Sequence, residues 1–200
     1  MRARFTQYAV PGWGVGELWT GDDLVLAHEF RFQPVSDTGV PTPSDRSRRR
    51  SAARSVEGVV EGKARTASGA NGTHSARFAL DENPCLTPGA LVERFRAFFA
   101  GEDAELADVP IDLDSATPFQ RDVAHALRGV PRGEVVSYGE LAALAGYPGA
   151  ARAAGTFCAH NRFMLLIPCH RVVGASGLGG YGSAGVETKR RLLALEGVLV

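Results

Sequence analysis

Apolar residues are spread along this chain in two textures, with a polar stretch between them. In residues 3–32 they fall in brief runs, GVGELWT and DLVLAHEF, set apart by Gly12, Gly14 and Gly21-Asp22-Asp23. Short apolar runs bounded by turn formers predict strands, here a small antiparallel sheet. From Phe32 to Phe78 no aromatic residue intervenes, and the segment is rich in Ser, Gly, Thr, Pro and Arg around SDRSRRRSAAR. A segment of this kind buries too little apolar surface to offset its ordering entropy, which predicts a flexible insertion over 34–74. A solvated loop is the plainer reading of its arginines, and contact with phosphates the sharper one. SARFALDEN then returns to strand-like texture.

Beyond it the period changes to that of helices. Thr87-Pro88 supplies an N-cap and a first helical proline. Leu91, Phe95, Phe98 and Phe99 form the apolar stripe, and Gly101 ends the helix. The acidic GEDAELADVPIDLD reads as a surface linker. Thr117-Pro118 repeats the start signal, for a helix to about Arg128 that buries Phe119, Val123, Ala126 and Leu127. Ser137 with Glu140 makes a capping box opening GELAALA. Gly146-Tyr147-Pro148-Gly149 breaks that helix, and AARAAGTFCAH forms the next. Two short helices across a tight turn, the second carrying Arg152, make a helix-turn-helix pattern. Alone the pattern is weak, since alanine-rich helices are often simply packed. FMLLIP reads as a buried strand ended by Pro168.

Charge adds a polarity to this layout. Formal net charge is zero. Yet Ser115 to Val200 holds nine Lys/Arg against five Asp/Glu, and Leu86 to Asp114 two against seven. A basic half beside an acidic one points the basic half toward a polyanion, with moderate, salt-sensitive affinity. The three cysteines, Cys85, Cys158 and Cys169, form no CxxC pair, which argues against a disulfide scaffold or a zinc site and for a reducing compartment. MRARFTQYAV contains no apolar signal segment, and no run approaches the ~20 apolar residues of a membrane span. The expectation is a soluble, cytoplasmic protein.

Cys169 is where candidate chemistry concentrates. It follows a buried apolar run, a placement that fits either an inert core thiol or a nucleophile held rigidly at a pocket floor. A free thiol has a pKa of ~8.5, so a nucleophile needs a base or positive charge nearby; His170 and Arg171 are adjacent. A base of that kind needs an orienting carboxylate, for which Glu196 is a candidate. The stretch GASGLGGYGSAG that follows suggests a main chain brought close to a ligand, or an ordinary loop before the last helix. It is no phosphate loop, because GK[ST] is absent.

IPCHRVV, the glycine-rich loop with Tyr181, Lys189 and the terminal LLALEG together resemble the O6-alkylguanine-DNA alkyltransferases. The likeness extends upstream through TPFQRDVAHALRGVPRGEVVSYGELAALAG and AARAAG, covering about residues 115–198. It implies an α/β N-terminal subdomain (a small antiparallel sheet plus helix) at 1–33 and 75–112. A mainly helical, winged-helix or helix-turn-helix-like domain would follow at 115–200. It also implies that Cys169 accepts an alkyl group from guanine in double-stranded DNA. His170 would take the thiol proton through a water, Glu196 would orient His170, and Asn161 would hold the helix-turn-helix against the active-site segment. Tyr138 would crowd the DNA backbone and protonate the leaving base. Arg152, with Ala151 and Gly155 beside it, would enter the duplex where the nucleotide has flipped out. Tyr181, Gly180, Met164 and Pro168 would line the pocket. The resemblance implies a single-turnover monomer that needs no cofactor or metal and no membrane.

The chain departs from the family at Arg162-Phe163-Met164, where prolines are common, and in its longer insertion. It also lacks the N-terminal zinc cysteines of some members, and His28 alone makes no zinc site. Cys85 and Cys158 read as packing residues. The alternative is a non-catalytic alkyl-lesion recognition protein on the same scaffold, against which the presence of Cys169 counts. A transcription regulator and a hydrolytic cysteine enzyme rank lower: only one helix-turn-helix is visible, and the resemblance points to transfer.

Overall fold

The computed structural model describes residues 3–22, 24–33 and 87–199. The expected insertion at 34–74, the SARFALDEN strand and Cys85 lie outside these residues. The N-terminal part is an antiparallel meander of β1 (Arg4–Val10), β2 (Gly14–Thr20) and β3 (Val25–Phe32), in that spatial order. Tyr8 stands opposite Gly16 in the β1–β2 register. A Cβ on Gly16 would lie 2.2 Å from the Tyr8 ring, so glycine is what lets that ring cross the sheet.

Alternation along β3 puts His28, Phe30 and Phe32 on one face, and helix α1 (Pro88–Phe99) covers it. Thr87 caps α1 as expected, accepting from the Ala90 N–H at 3.2 Å. Leu91, Val92, Phe95, Phe98 and Phe99 are all buried. Phe95 stacks on His28 with 4.0 Å between ring centroids and 5° between planes, and Phe99 lies 4.6 Å from Phe30.

The acidic linker is more than a surface strap. Leu106 and Val109 are buried, and the linker meets β3 where Val25 N–H donates to Pro110 O (2.9 Å) and Asp112 N–H to Val25 O (2.8 Å). Arg128 and Arg132 pin it by donating to the carbonyls of Ala107, Val109, Gly101 and Glu102.

Next come α2 (Pro118–Arg128), β4 (Val136–Ser137), α3 (Tyr138–Leu144), α4 (Ala151–Ala159), β5 (Val172–Val173) and α5 (Gly185–Leu195). Both expected starts hold: Thr117 and Ser137 cap α2 and α3, each closing a capping box, with Gln120 and Glu140. In α2 the third fully buried residue is Ala124, while Ala126 and Phe119 are only partly covered. Gly146 (φ 86°) and Gly149 (φ 87°) make the left-handed bends between α3 and α4 that side-chain-bearing residues resist. The fold class is the one expected, a small antiparallel sheet with a helix followed by a mainly helical region.

The FMLLIP strand is not formed. Phe163 and Met164 make isolated bridges to His28 and Ile167, the chain turns at Leu165 (φ 68°), and a 3₁₀ turn follows at Cys169–Arg171. A short, wholly buried apolar run gives no periodicity to separate strand from turn. The strand pairing instead lies just beyond, where Val136 and Ser137 pair in parallel with Val172 and Val173. No helix among the described residues is long and apolar enough to cross a membrane.

Candidate active site

Cys169 is placed by the turn that replaces the expected strand. Leu165, Leu166 and Ile167 are buried and anchor it, while the Cys169 N–H donates to Ile167 O at 2.8 Å. The sulfur forms part of the wall of a cleft of about 1200 Å³. Tyr138, Gly155, Cys158, Asn161, Met164, Gly180 and Tyr181 share that wall, and β3 residues from His28 to Gln33 form another side.

Asn161 ties the parts together. Its Nδ2 donates to Ile167 O (2.8 Å) and to Cys169 Sγ (3.3 Å), and its Oδ1 accepts from Phe163 N–H (2.9 Å). The end of α4 is thereby joined to the thiol. Burial pushes the Cys169 thiol up, opposed first by the Asn161 hydrogen bond and then by the Lys189 charge. Tyr181 is buried beside it, and its hydroxyl makes no hydrogen bond of ordinary geometry among the described residues; its pull on the sulfur is the weakest of those opposing burial.

Behind the thiol lies an ion cluster in which His170 and Glu196 are fully enclosed and Arg171 is half-buried. His170 Nε2 meets Glu196 Oε1 at 2.9 Å. Arg171 holds both oxygens of the same carboxylate, Nε to Oε2 at 2.9 Å and NH2 to Oε1 at 2.8 Å, and donates through NH1 to Val130 O. Burial alone would raise the Glu196 carboxyl, but His170 and Arg171 together hold it at about 2. An ionised Glu196 only accepts, so His170 Nε2 carries the proton. His170 Nδ1 is then the bare nitrogen, buried and without a hydrogen-bond partner among the described residues. Burial lowers His170, opposed by the Glu196 bond and charge, so the imidazole is neutral at pH 7. The arrangement amounts to a buried thiol, a neutral imidazole with one free lone pair and a fixed carboxylate.

Tyr138 opens α3 at the cleft edge. Its side chain lies over two glycines at ordinary contact distance: a Cβ added at Gly155 would stand 3.8 Å from the ring, and one at Gly179 3.5 Å. Desolvation and the neighbouring thiols raise its phenol, keeping the proton in place. Arg152 is exposed in the first turn of α4, one helical turn before Gly155, with no ion pair among the described residues. Ala151 is half-buried beside it. Pro168 is buried under the turn and does not line the cleft.

Three features escape the sequence reading. Cys158 lines the cleft itself. Lys189 is fully buried, with Nζ donating to the carbonyls of Val172, Leu178 and Gly180, which fastens the glycine loop. Its signal was a lysine in register with the buried Leu192 and Leu193 of α5. Arg171 serves Glu196 rather than the thiol. No group of three His, Cys, Asp or Glu among the described residues could hold a metal ion.

Residues 118–198 match the family model described as "6-O-methylguanine DNA methyltransferase, DNA binding domain". A methylated-DNA–protein-cysteine methyltransferase of Mycolicibacterium paratuberculosis is 50% identical over 122 residues, 60% of this chain and 72% of the relative. One from Salmonella typhimurium is 46% identical over 114 residues, 56% of this chain and 66% of the relative. The crystal structure of Mycobacterium tuberculosis O6-methylguanine methyltransferase superposes with a TM-score of 0.63 at 31% identity, covering 97% of this chain and 92% of that one. A structure of the Mycobacterium tuberculosis protein in complex with DNA gives 0.62 at 31% identity, over 98% and 92% of the two chains.

Proposed function

The chain belongs to the O6-methylguanine-DNA methyltransferase family, and from that premise we propose that it repairs DNA by transferring the alkyl group of O6-alkylguanine to its own Cys169. The observation that carries this reading is the Cys169 sulfur in the wall of a cleft, beside His170, whose one free nitrogen is a buried lone pair.

The step balances with groups already present. Cys169 loses its proton to His170 Nδ1 through one water, and the imidazolium is stabilised by Glu196. The thiolate attacks the alkyl carbon, an S–C bond forms, and the bond from that carbon to guanine O6 breaks. The departing guanine takes the proton of Tyr138. The thioether product is not hydrolysed, so each molecule acts once. Transfer by this route calls on no cofactor. One chain supplies every residue named, so a monomer suffices. A reducing, cytoplasmic setting keeps Cys169 a thiol.

Chemistry on a stacked base requires its extrusion from the duplex. Arg152, exposed and unpaired on the second helix of the helix-turn-helix, is suited to fill the vacated space. Arg152→Ala should slow repair of a duplex lesion on the order of a hundredfold, the equivalent of a few kcal/mol of base extrusion. Reaction with free O6-benzylguanine should change little. Equal losses on both substrates would remove the wedge role.

The function itself is tested by intact mass after incubation with a duplex carrying O6-methylguanine. We expect a gain of one methyl group (about 14 Da, the mass of CH₂), saturating at one per molecule as a covalent acceptor requires. After trypsin it should map to residues 163–171, which contain Cys169 alone, and not to 153–162, which contain Cys158. Tight lesion binding with unchanged mass would make the protein a recognition module instead.

A further inference from the structure

His28 shares no hydrogen bond with the ion cluster, yet it borders the cleft and bonds to the loop that precedes Cys169. The residue is fully buried in β3 and all four of its polar groups are engaged. Its N–H donates to Arg162 O and its carbonyl accepts from Met164 N–H, both at 2.9 Å. Ring Nδ1 contacts Met164 O at 2.5 Å, and Nε2 contacts the Tyr8 hydroxyl at 2.7 Å. A carbonyl only accepts, so Nδ1 carries the proton and Nε2 accepts from Tyr8. Phe95 stacks on the ring and fixes its plane.

Three of those four bonds fall on residues 162–164. Asn161, which holds the Cys169 sulfur, lies immediately before them. Immediately after is Leu165, the one non-glycine residue with positive φ among the described residues. A backbone in that region persists only where its surroundings over-determine it. Met164, half-buried, lines the cleft. Any residue at position 28 would supply the two main-chain bonds; the imidazole adds the bond that ties down the Met164 carbonyl.

We propose that His28 is a positioning residue that sets the Met164 wall of the cleft and thereby governs which O6-alkyl groups react at Cys169. The proposal rests on the alkyl-transfer reading above. A methyl group occupies little of the cleft, whereas a larger alkyl group extends toward its walls. Displacing Met164 therefore changes the reaction of large groups more than small ones.

The test compares single-turnover rate constants for O6-methylguanine and O6-benzylguanine as free bases, normalised to the titrated active fraction. Two substitutions separate the ring nitrogens. In His28→Asn the side-chain amide can occupy the Nδ1 position and still donate to Met164 O. In His28→Gln it reaches the Nε2 position, keeps a partner for Tyr8 and abandons Met164. His28→Gln should shift the benzyl-to-methyl rate ratio about tenfold, on the order of what one lost side-chain hydrogen bond is worth. His28→Asn should keep the wild-type ratio. A purely structural role would lower the active fraction in both variants and leave the ratio alone, and that result overturns the proposal. So does an equal shift in the two variants.

If His28→Gln does not fold, ¹⁵N NMR of the wild-type imidazole carries the test. The Nδ1 signal should move more after benzyl transfer to Cys169 than after methyl transfer, and equal or absent shifts overturn the proposal. Failure of the wild type to accept either alkyl group would instead overturn the transfer reading.

Discussion

Cys169→Ala should abolish alkyl transfer while leaving folding and lesion binding in place. Alanine fits the space of this small, nearly apolar buried side chain, and the Asn161 bond to Ile167 O survives the change. The residues on the DNA side, Arg152 and Tyr138, are untouched. Among the described residues no second nucleophile is ready to substitute. Cys158 lines the same cleft, but its thiol is pushed up first by burial, which replacing Cys169 leaves in place. It therefore stays protonated at neutral pH and lacks a paired base. Mass spectrometry of the variant with lesion-bearing duplex, beside a binding measurement on the same DNA, checks both halves of the expectation. Stoichiometric transfer that maps to Cys158 would show that the cleft presents two acceptors.

The second large effect is expected at Glu196, which never touches substrate. Glu196→Gln keeps the shape of the side chain and removes its charge. Two partners lose by this. Arg171 is left partly buried opposite a neutral amide; breaking a buried pair in this way costs about 3 kcal/mol or more. His170 loses the Glu196 charge that opposes the effect of burial on its ionisation, and the amide in its place can donate as well as accept. The imidazole becomes a weaker base and is no longer held in the tautomer that leaves Nδ1 free. Transfer per active molecule should fall by roughly 10²–10⁴, the usual contribution of a positioned base.

The pH dependence carries a sign. His170 must be neutral to accept a proton, and burial lowers its pKa, so the wild-type rate should fall only as pH drops below the ordinary imidazole range. Glu196 is held at about 2, so the cluster stays intact across that fall. The stability that Glu196 contributes is full above the ordinary carboxylate pKa and is lost only as pH falls toward 2. In Glu196→Gln the rate deficit should shrink as pH rises and hydroxide takes over the proton. Single-turnover rates from pH 6 to 9, normalised to active protein, test this; a wild-type rate at pH 7 would remove Glu196 from the proton path.

Much of this fold could be read from local chemistry. Thr87, Thr117 and Ser137 mark helix starts because capping is decided within four residues, and each side chain caps as expected. The strands around GVGELWT were equally legible, since turn formers bound them. What could not be read was decided by contacts across long stretches of chain. The residues leading into the Leu165 turn bond to His28, 136 residues away along the chain from its ring partner Met164. The β4–β5 pair has only two residues on each side, too short for any period. At the site, the motif around Cys169 named the thiol and its neighbour. The preference of Arg171 for Glu196 over Cys169 needed three dimensions, as did the presence of Cys158 in the cleft.

The buried Lys189 has a practical consequence for labelling. The chain contains two lysines, Lys63 and Lys189, and the amine of Lys189 is enclosed by three carbonyls. The rest of the cationic surface is arginine, which does not deprotonate in proteins. Amine-directed reagents will therefore spare the whole region from Thr87 to Leu199 in the folded state. A fluorophore or surface linkage introduced through amines leaves the charge of that region as it was.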